Sequence, residues 1–383
     1  MLMPTGEQSV AAGSNARSRT GSRLWGLLVP VPLAAPLAVP RVVPPSVAFA
    51  GQPLQQAGSG PVLTEEPQYQ SICKAAVQPS LPPEAAVLAA ASRSEPPACD
   101  EATDYYGFGK APDYPAALRC AYRHRAQPTN AFVEGPLTLG MLYANGYGVK
   151  QDYALAVRFA CEAAGNSASA ETELRVSRLE ALRDGRLLPT KPFDLCDDAT
   201  SGAMGSYCEG IAQRLADVGR TQRLQALRAQ LPPQAQAMLP GLLAAERDFE
   251  HARGKGEYAG GGGTGSAGFQ LLDQGQLREQ FLINLTRFAA GDLPHATPAD
   301  RLRAEQQLKA AAASAQARYA TPQPYATALD PTPKSLAATQ QAWQALYQAW
   351  LRFVPVAYPH LPIDRAATEL LHLRIHQLTK SEL

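Results

Sequence analysis

The chain has 383 residues, 45% of them hydrophobic and 18% charged, so it can bury a core and is not a disordered polyelectrolyte. Its 35 Lys+Arg nearly cancel 34 Asp+Glu, and the formal charge of +1 argues against nucleic acid as the main ligand, which needs a concentrated basic surface. With 30 Gly and 33 Pro, compact pieces joined by long connections are expected.

Residues 1–50 read as a signal peptide. Arg17, Arg19 and Arg23 precede an apolar run from Leu24 to Val29 that continues through Leu33 to Val39. Ala48-Phe49-Ala50 then offers small residues to a signal peptidase, with cleavage expected before Gly51. Pro30, Pro32, Pro36 and Pro40 interrupt the run, whereas a membrane-spanning helix takes about 20 clean apolar residues. The expectation is a soluble protein of a bacterial periplasm whose membrane involvement ends with the export signal. Residues 51–98 are rich in Pro and Ala without a sustained period. They are expected as an extended lead-in with one short helix at Pro83–Ser92.

Six cysteines follow: Cys73, Cys99, Cys120, Cys161, Cys196 and Cys208. None sits in a C-x-x-C pair, which leaves zinc-ribbon and thioredoxin-like readings without support. In an exported chain an even number reads as disulfides. Spacing cannot choose the pairing rigorously. The short Cys196–Cys208 interval, with Gly202 and Gly205 inside it, is the foremost pair; Cys99–Cys120 and Cys73–Cys161 follow by proximity and elimination.

Residues 99–190 contain an internal repeat. Gly107–Tyr114 matches Gly146–Tyr153 at an offset of 39 residues, and the match continues through Ala117/Ala156, Arg119/Arg158 and Ala121/Ala160. An offset of this size marks a helix-turn-helix solenoid unit. Gly146 and Gly148 suit positive φ in a tight loop, and Asp152 stands at an N-cap position. Ala154, Ala156 and Ala160 permit close helix approach while Val157 and Phe159 fill the core. The stretch Leu139-Gly140-Met141-Leu142-Tyr143, Gly146-Tyr147-Gly148-Val149, Asp152 and Ala156 resembles the Sel1-like repeat, a relative of the tetratricopeptide repeat. The resemblance implies a helical scaffold that binds proteins, with Tyr143 and Tyr147 as candidate partner contacts.

Beyond Phe193 the pattern changes. Two cysteines lead into a helix through Ile211 and Leu215 to Leu231, stopped by Pro232-Pro233, and a second helix runs from near Ala235 to Ala252. With Glu246-Arg247-Asp248-Phe249-Glu250-His251-Ala252-Arg253, this layout resembles the lysozyme-inhibitor LprI-like domain of bacterial envelope proteins. The resemblance implies one copy over residues 193–295, including a Gly-rich linker at 254–268. Residues 296–383 resemble a second, cysteine-free copy, with Gln340-Gln341-Ala342-Trp343 where the first has its acidic pattern. Phe249, Trp343, Tyr347 and Trp350 at helical spacing read as core anchors. Asp197 and Asp198 read as acids of a helix's first turn, or as partner contacts if the Cys196–Cys208 loop projects rigidly into a partner's cleft.

No constellation for catalysis emerges. Gly263–Gly268 spells G-x-G-x-x-G, but no strand precedes it, so it reads as a flexible linker. His372 and His376 share a helical face without a third ligand. The expectation is an all-α, disulfide-stapled protein without cofactor or enzymatic activity: a Sel1/TPR-like repeat pair followed by two helical-hairpin LprI-like domains. The resemblances imply a periplasmic binding protein that inhibits, or gives immunity against, lysozyme-type peptidoglycan hydrolases by steric occlusion of their paired carboxylates. The alternative is an envelope scaffold with no inhibitory activity.

Overall fold

A computed structural model describes residues 68–94, 98–128, 133, 135–257, 263–321 and 330–379, so the expected signal peptide and the start of the expected lead-in lie outside the described residues. The chain divides into two units, 1–63 and 64–383, and all described residues belong to the second. Among them are thirteen α-helices and no strand. The helical class and the three disulfides, Cys73–Cys161, Cys99–Cys120 and Cys196–Cys208, agree with the sequence expectation.

The lead-in is the first correction. It holds two helices, α1 (Gln68–Val77) and α2 (Pro83–Ala91), of which only the second was expected. Tyr69 and Ala85 pack into the core of the following helices, and Cys73 ties α1 to Cys161. Burial of these apolar side chains and the covalent tie hold α1 in place, although ten residues alone make a marginal helix.

The two segments that match at an offset of 39 residues share their helix caps, one loop bond and their glycine conformations. Helices α3 (Glu101–Tyr106) and α4 (Tyr114–Ala126) form one unit, α5 (Pro136–Asn145) and α6 (Tyr153–Glu162) the next. Asp113 caps α4 by accepting from Ala116 N, and Asp152 caps α6 by accepting from Leu155 N, each at 3.0 Å. Asp113 N donates to Asp104 O, and 39 residues later Asp152 N donates to Tyr143 O. Gly107, Gly109, Gly146 and Gly148 all take φ near +70°. Ala117, Ala121, Ala156 and Ala160 are buried, which lets the helices close on Leu139, Leu142 and Phe159. Helix α7 (Ser169–Arg183), absent from the repeat pattern, covers α6 with Val176 and Leu179.

The C-terminal helices depart from the expected hairpins. They are α8 (Gly202–Ala229), α9 (Pro233–Gly256), α10 (Ser266–Ala290), α11 (Pro298–Ala320), α12 (Pro333–Ala357) and α13 (Ile363–Thr379). Helix α8 lies along α10, α9 along α12 and α11 along α13, so the closest partners are not consecutive in the chain. One core runs from Leu231 to Leu378 and crosses the boundary expected between 295 and 296. Phe249, Trp343, Tyr347 and Trp350 are its anchors, each at most 5% exposed. The expected linker at 254–268 is helical at both ends, since α9 continues to Gly256 and α10 begins at Ser266.

The pattern Gly263–Gly268 has a packing role. A Cβ on Gly268 would come within 2.9 Å of Ser206 Cα, and one on Gly202 would collide with the Gly265 backbone. Ser206 Oγ donates to Thr264 O at 2.8 Å and accepts from Gly268 N at 2.9 Å. Here glycine allows the start of α10 to press against the start of α8. Helix α8 has Met204 in the repeat core, while its Leu224 and Leu227 pack on the C-terminal core. It therefore joins the two cores.

Candidate functional site

The C-terminal end of α5 builds one wall of a cleft of about 380 Å³. Its other walls are Tyr153 at the start of α6, Arg178 and Leu182 of α7, residues 187–193 and Asp197. Asn145, the last residue of α5, clamps the far wall: its Nδ2 donates to Phe193 O at 2.8 Å and its Oδ1 accepts from Phe193 N at 2.7 Å. Gln151 Nε2 donates to Ala144 O and to the Tyr153 hydroxyl. Tyr147 reaches the cleft from the glycine loop, its ring stacked on Tyr114 at 4.4 Å between centroids.

The floor is an ionic network. Arg178 lies over the Phe193 ring at 4.2 Å, donates to Asp194 O at 2.8 Å and pairs with Asp197 Oδ2 at 2.9 Å. Lys191 donates to Asp197 Oδ1 at 2.7 Å. Both Asp197 oxygens and both cations are thereby engaged within the wall. Leu187 and Leu188 stand at the rim, 42% and 77% exposed.

The residues expected as partner contacts divide evenly. Tyr147 and Asp197 meet in this cleft. Tyr143 does not: it is buried, its hydroxyl 2.7 Å from that of Tyr122. Asp198 is also buried, 3.1 Å from Arg178. Burial pushes its carboxyl above the ordinary range, while Arg178 and Arg175 act in the opposite direction. Nor does the Cys196–Cys208 loop project. Leu195 is fully buried, and Glu171 accepts from Thr200 N and Ser201 N, which pins the loop where α8 begins. The physical reason is that the segment carries its own apolar anchor and the N-cap of α8, Ser201.

Asn145, Gln151, Tyr153, Arg178, Lys191 and Phe193 were not singled out in sequence. The repeat carried a usable signal for one of them, because Tyr153 occupies the position of Tyr114 one unit earlier. Arg178 and Lys191 had none.

A second concavity, about 680 Å³, lies between α11 and α12 and is lined by Leu308, Ala312, Trp343, Tyr347 and four glutamines. Trp343 and Tyr347 turn most of their surface into the core, leaving edges to the groove.

Among the described residues no helix is long and apolar enough to cross a membrane. Compared with family models, curated proteins and solved structures, the chain matches none.

Proposed function

We propose that this chain is an exported, disulfide-bonded binding protein that takes an apolar-rich peptide segment of a protein partner into the cleft between its second repeat and residues 187–193. One observation carries this reading: Tyr147, Tyr153, Phe193, Leu182 and Leu187 surround a cleft whose ionic and amide groups are already paired with one another. A partner offering apolar side chains then strips no unpaired charge of water, and the preorganised wall lowers the entropy cost of docking. Three disulfides suit an oxidising, extracytoplasmic compartment. The resemblance to Sel1-like repeats points the same way, toward protein binding.

The inhibitor reading needs a different contact from the one expected, because the Cys196–Cys208 loop is packed against the repeat core. A wall hydrolase fits the proposal only as the partner whose segment enters the cleft.

A photo-crosslinking residue placed at Leu188, on the cleft rim, tests the proposal against the same residue at Leu302, which is 55% exposed on α11. A discrete adduct from position 188, absent from 302 and weakened by Tyr147→Ala, is expected. Equal labelling at both positions, or no adduct at 188, would refute it. Adding the mature protein in micromolar excess to several lysozymes decides the narrower question; undiminished activity removes the hydrolase as partner.

A further inference from the structure

The wall of the cleft formed by residues 187–193 has a backbone unsuited to pairing with a partner strand. Strands pair through the N–H and C=O groups of every second residue, and proline has no N–H. Here Pro189 interrupts the odd-numbered set and Pro192 the even-numbered one. The ends of the wall are already engaged. Leu187 N donates to Ala181 O at 3.0 Å, and Asn145 binds both N and O of Phe193. At most Lys191 N–H remains in one set, and those of Leu188 and Thr190 in the other, too few for a ladder. An occupant of the cleft is therefore held by side chains and not by a shared sheet.

The side chains that line the cleft narrow the class of occupant further. Arg178 and Lys191 both pair with Asp197, so no charge there calls for a charged ligand. Tyr147 and Tyr153 supply aromatic surface, the first ring held by its stack on Tyr114. The Tyr153 hydroxyl oxygen accepts from Gln151 Nε2 at 3.1 Å, which leaves its own hydrogen to be donated elsewhere. The Tyr147 hydroxyl has no hydrogen-bond partner among the described residues. The cleft thus presents aromatic rings and hydroxyl donors, which match an apolar chain with accessible carbonyls. A polyproline II segment has those properties: it makes no internal hydrogen bonds, its proline rings dock on aromatic side chains, and its stiffness leaves little entropy to lose. We propose that the occupant is a proline-rich segment of the partner in this conformation, its rings packed on Tyr147 and Tyr153 and its carbonyls accepting from their hydroxyls. This rests on the cleft being the binding site proposed above and adds the class of segment that enters it.

The test titrates the oxidised mature protein into three fluorescein-labelled peptides and follows their anisotropy. The probes are (Pro-Pro-Leu)4, the helix-forming (Ala-Ala-Leu)4 and the strand-forming (Thr-Val-Leu)4, which share the same leucines at the same spacing. The proline peptide should bind at least about tenfold more tightly than either control. Tyr147→Phe keeps the ring and removes the hydroxyl, and should weaken that peptide by about fivefold, the worth of one neutral hydrogen bond. Tyr147→Ala should weaken it more, with circular dichroism showing that each variant keeps its helix content. Equal or tighter binding of a control peptide, no binding of the proline peptide, or affinity unchanged in both Tyr147 variants would overturn the proposal. The photo-crosslinking residue at Leu188 separates the two failures. An adduct from position 188 without a preference for the proline peptide overturns the class of segment and leaves the cleft as the site; the absence of adduct and of peptide binding removes both.

Discussion

Glu246 and Glu250 lie one turn apart on α9 and both are buried. Glu250 is paired with Arg278, which also reaches Asp217 at 2.8 Å. Glu246 is different: burial, with the charge of Glu250 added, pushes its carboxyl from 4.5 up to about 8. Because the folded-state value is raised, the folded chain holds a proton there that the unfolded chain releases above pH 4.5. Stability therefore falls as pH rises from 4.5 toward 8, by on the order of 3 kcal/mol by pH 7 from this residue alone. Glu246→Gln should remove that slope, leaving stability near pH 4.5 little changed and raising it at pH 8, as urea titrations at the two values will show. Arg374 makes a complementary case. It is fully buried, pairs with Glu257, and donates to Gln340 Oε1 at 2.6 Å. Arg374→Ala leaves the Glu257 charge without its partner and should cost about 3–5 kcal/mol in the same measurement. Neither residue was legible in sequence as buried, since a charged side chain on an amphipathic helix reads as solvated until its neighbours are known. The cysteines were legible as disulfide partners because six of them without a C-x-x-C pair leave little other use in an oxidising compartment, with the pairing itself resting only on proximity. Tyr143 was misplaced because an aromatic residue of a repeat serves core and surface alike.

At the scale of elements, the glycine loop and the helix cap that follows it were legible because a tight loop makes strict local demands. Gly146 and Gly148 take positive φ, and Asp152 caps the next helix, whatever the rest of the chain does. Helix α10 was missed for the opposite reason. Gly268 and Gly275 lower its intrinsic propensity, and what repays them is contact with α8, a partner 62 residues away at the Ser206–Gly268 bond. The G-x-G-x-x-G spelling thus records a helix crossing, with Gly265 and Gly268 pressed on Gly202 and Ser206. Gly202→Ala should drive a methyl group into the Gly265 backbone and cost roughly 1–3 kcal/mol, seen as a lower Tm. Gly205→Ala, where a Cβ meets open space in the same helix, should be neutral or slightly stabilising and serves as the control.

For the whole molecule, the expected succession of separate hairpin domains gave way to one C-terminal core spanning residues 231–378. Hydrophobic periodicity identifies helices but not which of them meet, and here α9 meets α12 across the intervening α10 and α11. The cleft was half legible on the same grounds: Tyr147 and Asp197 could be picked from local pattern, whereas Arg178 and Phe193 arrive from elements that only tertiary packing brings near. The disulfides should contribute unequally to this architecture. Cys73–Cys161 closes a separation of 88 residues and Cys196–Cys208 one of 12. On chain-entropy grounds their removal should cost at most about 4.6 and about 2.8 kcal/mol, so C73S/C161S should lower the denaturation midpoint more than C196S/C208S. The central proposal is that a leader delivers the chain to an oxidising compartment, where three covalent ties fasten a helical binding scaffold. Non-reducing peptide mapping of protein isolated from its producing cells tests this most directly. The predicted result is an N-terminus at Gly51 and three linked peptide pairs, 73 with 161, 99 with 120 and 196 with 208; free thiols together with a retained leader would contradict it.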